Sequence, residues 1–494
     1  MDTQAALETY RSLRRELEES VLPLATSIDG SVFTFQASLH GLALPIGGYV
    51  VIEADTRARL GQVLELVAAV ADGAELELAG GGARTAVQIR LARGSGAVLE
   101  GDGAPFHDAT VRPAEPGEIA AWLERRAPRR AQLAVGELAL APGVPLALDA
   151  GGFDRHTFMC GQSGSGKTYS LGVMLEQLLL ETRLRVIVLD PNSDYVRMGE
   201  VRDGVEETLA ARYRDAAAGL AVHRAGAAGA DRLRLRLAEL EPAAQAALLQ
   251  LHPIADREEH AELDALLAAE RPPTLEAFLA SDRPEARRLV MRVRNLGIDR
   301  FGVWALQDAG STLEAVGDAE QRGLVVDLGS LGTRTEQSLM AAGVLGALWR
   351  RREERRPVLV VIDEAHNICP AEPEDRLTAL ATDYAVRIAA EGRKFGLYLL
   401  VSTQRPQKVH PNVVTQCDNL ILMRLNSAAD AAYARDVFSF VPPGLLARAP
   451  AFGLGEALVA GKICPSAALL RFGRRVAEEG GADVPSDWAK PNRV

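Results

Sequence analysis

The chain has 494 residues, which is enough for two or three structural units with cores of their own. Its apolar fraction of 48% is ordinary for a globular protein. No apolar run approaches the roughly 20 residues that span a bilayer, and the N-terminus lacks the apolar stretch of a signal peptide, so we expect a cytoplasmic protein. The formal net charge of −11 is not that of a general nucleic-acid binder, but it leaves room for local basic groups.

The positions of the cysteines and lysines limit the kinds of functional site that the chain is expected to contain. The cysteines have no Cys-x-x-Cys spacing and no matching histidine cluster, which argues against zinc and disulfides. We expect small buried hydrophobic residues at Cys160, Cys369, Cys417 and Cys464. Only five of the 55 basic residues are lysines. In a chain so rich in arginine, a lysine such as Lys167 is a candidate for a role that a guanidinium cannot perform.

The first part of the chain contains two predicted units. Apolar residues recur at helical spacing over 3–21, which predicts an amphipathic N-terminal helix within 1–22. Over 23–118 the pattern changes to short alternating runs separated by glycines, as at Tyr49–Ile52. Several short strands at this spacing predict a small β-barrel. A linker containing prolines and a short helix near 119–126 follow it.

The segment 119–477 alternates short β-branched runs with helical stretches. The runs lie at 186–189, 324–326, 358–362 and 397–401. This alternation predicts an α/β core with a parallel-rich sheet and crossover helices. From 201 to about 305 the strand pattern is absent and Ala, Leu, Glu and Arg recur at helical spacing, which predicts an inserted helical subdomain. The last residues, 478–494, are rich in Gly, Pro and Asp, which is typical of a loose tail.

One segment matches a phosphate-binding loop in full. Residues 161–168 read Gly-Gln-Ser-Gly-Ser-Gly-Lys-Thr and stand between a predicted buried strand and a predicted helix. Such glycines let backbone N–H groups surround phosphates at a helix N-terminus. We therefore expect ATP here, with Lys167 between the β- and γ-phosphates and the Thr168 hydroxyl on Mg²⁺. The residues expected to contact the nucleotide from this segment are Gly161, Gln162, Ser163, Gly164, Ser165, Gly166, Lys167, Thr168 and Tyr169.

Two carboxylates follow a predicted central strand in the run Val358–Glu364. Ligands bind at the C-terminal ends of strands in open α/β sheets, so these carboxylates are expected beside the phosphate-binding loop. Asp363 suits the outer coordination shell of Mg²⁺, and Glu364 suits the orientation or activation of the attacking water. The adjacent pair also marks the RecA-like and AAA+ motors, in which an extra strand separates the strand of the phosphate-binding loop from its neighbour.

A third strand pattern, Leu397–Val401, ends in polar residues. The amide of Gln404 would then lie next to the carboxylates, where it is our candidate for a sensor of the γ-phosphate or the attacking water. The alternative is that a polar residue simply caps the end of a strand.

Six short blocks stand in a fixed order within about 130–465. They are Arg155–Lys167, Asp190–Tyr195, Ile362–His366, Glu391–Gly396, Ser402–Pro406 and Gly455–Leu458. Together they resemble the HerA ATPases, which belong to the HerA/FtsK branch of RecA-like motors. One block departs from the family, because Ser193 and Asp194 stand where Gly and Glu are more usual. This departure leaves the role of Asp194 open.

The resemblance implies features beyond the ATP site. It implies a RecA-like core, a barrel of the HAS type at 23–118, a homohexameric ring with ATP between subunits, double-stranded DNA in the channel and a nuclease partner of the NurA type. Such rings present an arginine to the γ-phosphate of the neighbouring subunit. The candidates are Arg393, Arg387 and Arg155, and a surface ion pair is the alternative for each. Candidates for tracking DNA phosphates are Lys394, Arg405, Lys408, His410 and the basic stretch Arg350–Arg356, and for that stretch a solvated helix face is the favoured alternative.

Two functions remain open from the sequence. The first is an ATP-hydrolysing translocase or helicase that moves double-stranded DNA for a nuclease in end processing or repair. The second is a HerA-like ring that scaffolds and regulates an effector enzyme, for example in antiviral defence, where ATP controls assembly more than movement. A conjugative or secretion coupling motor is disfavoured because such proteins usually carry membrane helices. Both open functions use the same ATP site, so the motifs do not separate them.

Overall fold

The computed structural model describes residues 3–39, 43–54, 57–77, 84–268, 274–280, 284, 286–305 and 310–481. Within these residues an N-terminal helix and a closed barrel precede a large mixed sheet with helices on both faces. The predicted combination of a barrel and an α/β core is confirmed.

The barrel contains six antiparallel strands in the order β1-β2-β5-β4-β3-β6. It follows the helix α1 (Thr3–Glu19), and its strands are β1 (Leu24–Ser27), β2 (Val32–Ser38), β3 (Tyr49–Ala54), β4 (Arg57–Glu77), β5 (Arg84–Glu100) and β6 (Phe106–Pro113). Side chains alternate between exposed and buried along β2, as expected for a strand with one face inside a barrel. The interior is filled mainly by Phe33, Phe35, Val50, Ile52 and Val63.

Two barrel strands are much longer than the short runs that the sequence predicts. β4 and β5 pair from Leu60 opposite Glu100 to Glu77 opposite Arg84, with three register shifts. The glycines that interrupt the pattern lie inside β5 and make room for neighbours. A Cβ at Gly94 would lie 2.3 Å from the Phe35 ring, so this glycine marks a close approach and not the end of a strand.

A short helix, α2 (Pro116–Arg126), connects the barrel to the core. Proline begins the helix, and Glu115 and Glu118 form a capping box at its N-terminus. Trp122 is buried and its ring lies 5.9 Å from that of Tyr49 in the barrel strand β3. Barrel and core therefore share a hydrophobic cluster at this helix.

The core sheet has eleven strands in the order β11-β12-β10-β13-β14-β9-β15-β16-β17-β7-β8. Neighbours from β11 to β15 are parallel, and those from β15 to β8 are antiparallel. β14 lies between β9 and β13, which confirms the predicted extra strand. The strands are β7 (Gln132–Leu138), β8 (Pro145–Asp149), β9 (His156–Cys160), β10 (Arg185–Asp190), β11 (Leu220–Arg224), β12 (Gly323–Asp327), β13 (Val358–Ile362), β14 (Leu397–Thr403), β15 (Cys417–Met423), β16 (Glu456–Ala460) and β17 (Ala468–Phe472).

Helices cover both faces of the sheet. Successive residues of β10 contribute to different clusters, with Ile187 and Leu189 on one face and Val186 and Val188 on the other. All four cysteines are buried and free, as predicted for small hydrophobic residues. The helices are α3 (Lys167–Glu181), α4 (Glu207–Ala217), α5 (Pro242–Leu248), α6 (Arg257–Leu267), α7 (Leu275–Leu279), α8 (Arg287–Asn295), α9 (Thr312–Gly317), α10 (Arg334–Arg350), α11 (Arg376–Glu391), α12 (Pro411–Val414), α13 (Ala428–Val437) and α14 (Pro443–Leu446).

The region 201–305 differs from the predicted all-helical insertion in one element. It contains the edge strand β11, which pairs in parallel with β12. This strand has five residues, of which one is β-branched, and most of them are only half-buried. Because an edge strand is covered less than a central one, its sequence lacks the apolar run by which the other core strands are recognised.

The described part of the predicted tail is attached to the core. The backbone N–H of Glu478 donates to the carbonyl of Glu200, and that of Gly480 donates to the carbonyl of Asp194. Residues 478–481 are therefore fixed by backbone hydrogen bonds, against the prediction of a loose segment, while 482–494 lie outside the described residues.

Candidate nucleotide site at the carboxyl ends of the central strands

The phosphate-binding loop connects β9 to α3 and is held on several sides. Gly161 and Gln162 donate backbone N–H groups to the carbonyls of Thr403 and Arg424, while the Ser165 carbonyl accepts from Gly455. Gly164 and Gly166 have φ values of +72° and +90°, a region that glycine adopts without strain. No side chain caps α3, so the N–H groups of its first turn are left for an anion.

Lys167 lies at the centre of the site. Its Nζ is 2.8 Å from Asp363 Oδ1 and 3.1 Å from Glu364 Oε1, and it donates to Ser402 Oγ at 3.0 Å. Only 4% of the side chain is exposed. Burial alone would lower the pKa of Lys167, but the two carboxylates raise this pKa above its ordinary value. The ammonium is therefore charged and already held where β9, β13 and β14 end.

Asp363 is completely buried at the end of β13. Its Oδ1 also accepts the backbone N–H of Glu364 at 2.9 Å, and its Oδ2 accepts the Tyr195 hydroxyl at 3.3 Å. Thr168 lies in the first turn of α3 and is partly exposed. A carboxylate and a hydroxyl are hard oxygen ligands, which fit a Mg²⁺ ion held jointly by the protein and nucleotide phosphates.

Glu364 and Gln404 meet as the sequence predicts. The Gln404 amide donates to Glu364 Oε1 at 2.7 Å. The second oxygen, Glu364 Oε2, is buried and has no hydrogen-bond partner within the described residues, although His366 Nδ1 lies 3.3 Å away. Glu364 adopts a left-handed backbone conformation with φ 42°, which is unusual for a residue other than glycine. Such strain is typical of functional sites.

The block Asp190–Tyr195 shapes the loop that brings Tyr195 to Asp363. The buried Asp190 carboxylate accepts backbone N–H groups from Asn192, Asp194 and Tyr195. Burial nevertheless raises the pKa of Asp190 to about 7. Burial and the nearby Asp363 charge also raise the pKa of Asp194.

The structure explains how Ser193 is accommodated where glycine is more usual in the resembling family. Ser193 has φ 62°, a left-handed conformation that glycine adopts more readily. Its hydroxyl donates to Asp327 Oδ1 at 2.6 Å, which offsets part of the conformational cost.

The candidate arginines do not reach the site of their own chain. Arg393 pairs with Asp418 at 2.9 Å, and Arg155 lies 3.9 Å from the same carboxylate. Both stand near the amino ends of β9, β14 and β15, opposite the carboxyl ends where Lys167 lies. The Arg387 guanidinium lies over the Tyr384 ring at 5.8 Å. A nucleotide contact by these arginines would therefore involve a neighbouring subunit, including the contact predicted for Arg155.

The Tyr169 side chain, predicted to contact the nucleotide, faces the C-terminal segment. Its hydroxyl accepts the backbone N–H of Arg475 at 2.9 Å. Three further residues contact the site and had no role assigned from the sequence: Ser402, Tyr195 and His366. Each lies in one of the six sequence blocks, close to Gln404, Asp190 or Glu364. This position was the only feature of the sequence that could have indicated a contact with the site.

Basic residues line a polar cavity of about 920 Å³ beside the site. Arg334, Arg405, Lys408 and the ring of His366 contribute to its walls, together with the acidic residues Glu372, Glu374 and Asp375. Other predicted phosphate-tracking residues have local partners. His410 caps α12, and the Arg352 guanidinium lies over the Trp349 and Phe395 rings.

Residues 133–282 match the family model described as Helicase HerA, central domain. The chain is 27% identical over 176 residues to the DNA double-strand break repair helicase HerA of Sulfurisphaera tokodaii, a match that covers 34% of this chain and 35% of that protein. It is 35% identical over 129 residues to the probable helicase MJECL08 of Methanocaldococcus jannaschii, covering 26% of this chain and 24% of the relative. The chain thus matches about a third or less of these relatives' length.

A solved structure with a similar chain path is the bacterial conjugative coupling protein TrwB in its TrwBdeltaN70 form. It is 15% identical, with 75% of this chain and 95% of that chain covered and a TM-score of 0.47. This likeness says nothing about function. In the described part of the chain, no helix is both long and apolar enough to cross a membrane.

Proposed function

We propose that the chain is a P-loop ATPase of the HerA family that hydrolyses ATP to move double-stranded DNA, and the match of residues 133–282 to the HerA central domain supports this. The observation that carries the proposal is the convergence of Lys167, Asp363, Glu364 and Gln404 at the carboxyl ends of adjacent strands. A charged lysine, a buried acid pair and an amide are the groups that water attack on a γ-phosphate requires.

The proposed mechanism begins with an exchange of partners at Lys167. Its ammonium would leave the carboxylates and Ser402 for the β- and γ-phosphate oxygens, where it offsets negative charge. Glu364, released from this ion pair, would orient the attacking water and accept its proton, while Gln404 holds the other carboxylate oxygen in place. Thr168 and Asp363 would hold Mg²⁺, which supplies further neutralisation of phosphate charge.

We further propose a homohexamer with an arginine acting between subunits. Arg393 and Arg155 lie near the amino ends of the central strands, at the opposite end from the phosphate-binding loop, and this position supports the proposal. In a head-to-tail ring, one face of a subunit meets the opposite face of the next, so groups far apart within one chain become neighbours across the interface. The ring would then bring Arg393 or Arg155 of one subunit to the ATP site of the next.

DNA is proposed as the substrate that moves, and a nuclease of the NurA type as the partner. The HerA relative carries the printed name of a DNA double-strand break repair helicase, which supports a DNA substrate here. Arg334, Arg405 and Lys408 place positive charge beside the ATP site, where contact with a phosphate backbone would be coupled to hydrolysis. On this basis the process served is DNA end processing or repair.

The test is the rate of ATP hydrolysis by the purified chain with and without linear double-stranded DNA. We expect stimulation of several-fold, lost in Lys167→Ala and weakened as salt rises, because phosphate contacts release counterions. A rate indifferent to DNA, also after a nuclease partner is added, would contradict the translocase and favour the scaffold. Native mass spectrometry would check for six copies.

A further inference from the structure

His366 lies between Glu364 and the end of the neighbouring strand β14. Its Nδ1 is 3.1 Å from the Thr403 hydroxyl and 3.3 Å from Glu364 Oε2. The ring follows Glu364 in a short 3-10 turn, Ala365–Asn367, and 16% of it is exposed towards the polar cavity. One ring nitrogen therefore has two possible partners, one on each strand.

Thr403 is able to donate a hydrogen bond to Nδ1 of His366. Thr403 Oγ1 accepts the backbone N–H of Arg405 at 3.0 Å, so its own hydrogen remains available to donate. His366 Nδ1, at 3.1 Å, is an acceptor for this hydrogen in one of the two neutral tautomers. A neutral imidazole accepts at one nitrogen and carries its proton on the other, so a bond donated by Thr403 would place the proton on Nε2. In that tautomer Nδ1 has no hydrogen to give to Glu364.

The charges around His366 favour the neutral ring. Burial lowers the pKa of His366, and Arg405, Lys167 and Arg334 lower it further, while Glu364 opposes them. Lys408 and the acidic residues Glu372, Glu374 and Asp375 line the same cavity. The net direction is towards a histidine without a second proton at neutral pH.

The two oxygens of Glu364 are consequently unequal. Oε1 contacts Gln404 at 2.7 Å and Lys167 at 3.1 Å, whereas Oε2 is buried without a hydrogen-bond partner among the described residues. An unpaired buried carboxylate oxygen is costly to maintain. It is also the oxygen that can accept a hydrogen bond from a bound water.

We propose that Thr403 fixes the tautomer of His366 and thereby keeps Glu364 Oε2 free for the attacking water. If the ring carried its proton on Nδ1 and turned from Thr403 towards Glu364, it would donate to Oε2 and occupy the base. Thr403 and His366 are positioning residues, since they act through Glu364. The inference rests on the proposed role of Glu364 as the group that orients the water.

The test compares kcat and KM for ATP among substitutions at two positions. Thr403→Val removes the hydroxyl at nearly constant volume, so the ring is free to protonate Nδ1 and donate to Glu364. We expect kcat to fall by about tenfold or more, the lower range of general-base effects, with KM unchanged. Thr403→Ser keeps the hydroxyl and should retain most of the activity.

The double variant separates this tautomer effect from damage to the fold. Thr403→Val also removes the acceptor of the Arg405 N–H, so a loss of kcat alone is ambiguous. His366→Phe cannot donate to Glu364, and Thr403→Val combined with His366→Phe should turn over ATP as fast as His366→Phe alone. A double variant no faster than Thr403→Val, or a Thr403→Val variant with normal kcat, would overturn the proposal. Failure of the Glu364 assignment would show separately, as normal turnover by Glu364→Gln.

Discussion

Lys167 and Asp363 form a nearly solvent-free ion pair, with 2.8 Å between Nζ and Oδ1. The lysine is therefore held at the end of β13 by the acid that is expected to bind magnesium, and by Glu364 at 3.1 Å. A buried pair of this kind gains little net stability, because the attraction mainly repays the cost of removing both charges from water. If phosphate oxygens replace the carboxylates, Lys167 keeps a negative partner, so the exchange avoids the cost of an unpaired buried ammonium.

Glu364→Gln is expected to retain ATP binding and to lose turnover. Glutamine preserves the size of the side chain and the oxygen that accepts from Gln404, but it cannot take a proton from water. The rate should fall by about 10²–10⁴-fold, as for loss of a general base. The measurements are phosphate release and equilibrium binding of labelled ATP, with Lys167→Ala as the variant that loses both. Normal turnover by Glu364→Gln would assign the water to another residue.

The sequence indicates which residues converge at the strand ends better than it indicates the interactions that support them. Lys167, Asp363, Glu364 and Gln404 follow apolar strands, and parallel strands bring their carboxyl ends to one edge of a sheet. Ser402 and Tyr195 contact the same groups, but no sequence rule indicates which polar residue of a loop faces inward. Their contacts depend on the tertiary arrangement of β10, β13 and β14.

For the fold as well, the strands that depend on a local sequence pattern are predicted, and those that depend on tertiary contacts are not. Central strands such as β13 are recognised by continuous apolar runs, because both faces are buried. The edge strand β11 (Leu220–Arg224) lacks that run, since it has a neighbour on one side only. The glycine pattern predicts breaks between short strands, whereas Gly94 and Gly96 lie inside β5 and make room for the Phe35 and Phe33 rings. Such close approaches become visible only when the partner strand is placed.

Gly172→Ala should destabilise the protein, against the usual effect of this change in a helix. Alanine normally stabilises a helix interior by about 1 kcal/mol relative to glycine. Here a Cβ would lie 2.4 Å from Arg475 Cζ. That guanidinium is 0% exposed and donates to the equally buried Glu176 at 2.8 Å, so it has no room to retreat without breaking the pair.

The measurement for Gly172→Ala is the midpoint of urea unfolding. Separating a buried ion pair costs about 3–5 kcal/mol, and we expect a loss approaching that range. Gly117→Ala in α2 is the matched control, because nothing lies within 4 Å of the added Cβ. It should be neutral or slightly stabilising. Equal behaviour of the two variants would show that Arg475 adapts to the alanine.

Asp190 should make stability depend on pH near neutrality. Its pKa is raised by burial from 3.8 to about 7 in the folded chain. A group whose pKa is higher in the folded chain than in the unfolded chain contributes its full stabilisation of the fold at pH values below the unfolded pKa. This contribution is lost as pH rises through the folded pKa. The free energy of unfolding of the native chain, relative to Asp190→Asn, should therefore rise as pH falls below 7. The slope should approach about 1.4 kcal/mol per pH unit.

The Asp190 comparison uses urea unfolding of both proteins at pH 8, 7, 6 and 5. Taking the difference between the two proteins cancels groups that titrate alike in each. Parallel stability curves over this range would mean that the three backbone N–H groups keep the Asp190 carboxylate ionised despite its burial.

Arg393→Ala is expected to abolish most ATP hydrolysis. Activity should return when this variant is mixed with a second inactive variant whose defect lies elsewhere. Arg393 stands at the sheet edge opposite Lys167, where it pairs with Asp418 at 2.9 Å. If it acts on a neighbour's γ-phosphate, its loss should reduce kcat by about 10³-fold or more. Lys167→Ala subunits are inactive for a different reason, because they retain the arginine and lack the lysine.

Mixing the two variants tests whether the arginine acts between subunits. In a mixed ring, a Lys167→Ala subunit can present Arg393 to the intact site of an Arg393→Ala neighbour, so activity should return on mixing and depend on the ratio of the two proteins. Asp418→Ala, which frees the arginine, should keep activity. No recovery on mixing, together with loss of activity in Asp418→Ala, would mean that the ion pair stabilises the ends of β14 and β15 and does not complete a neighbouring site.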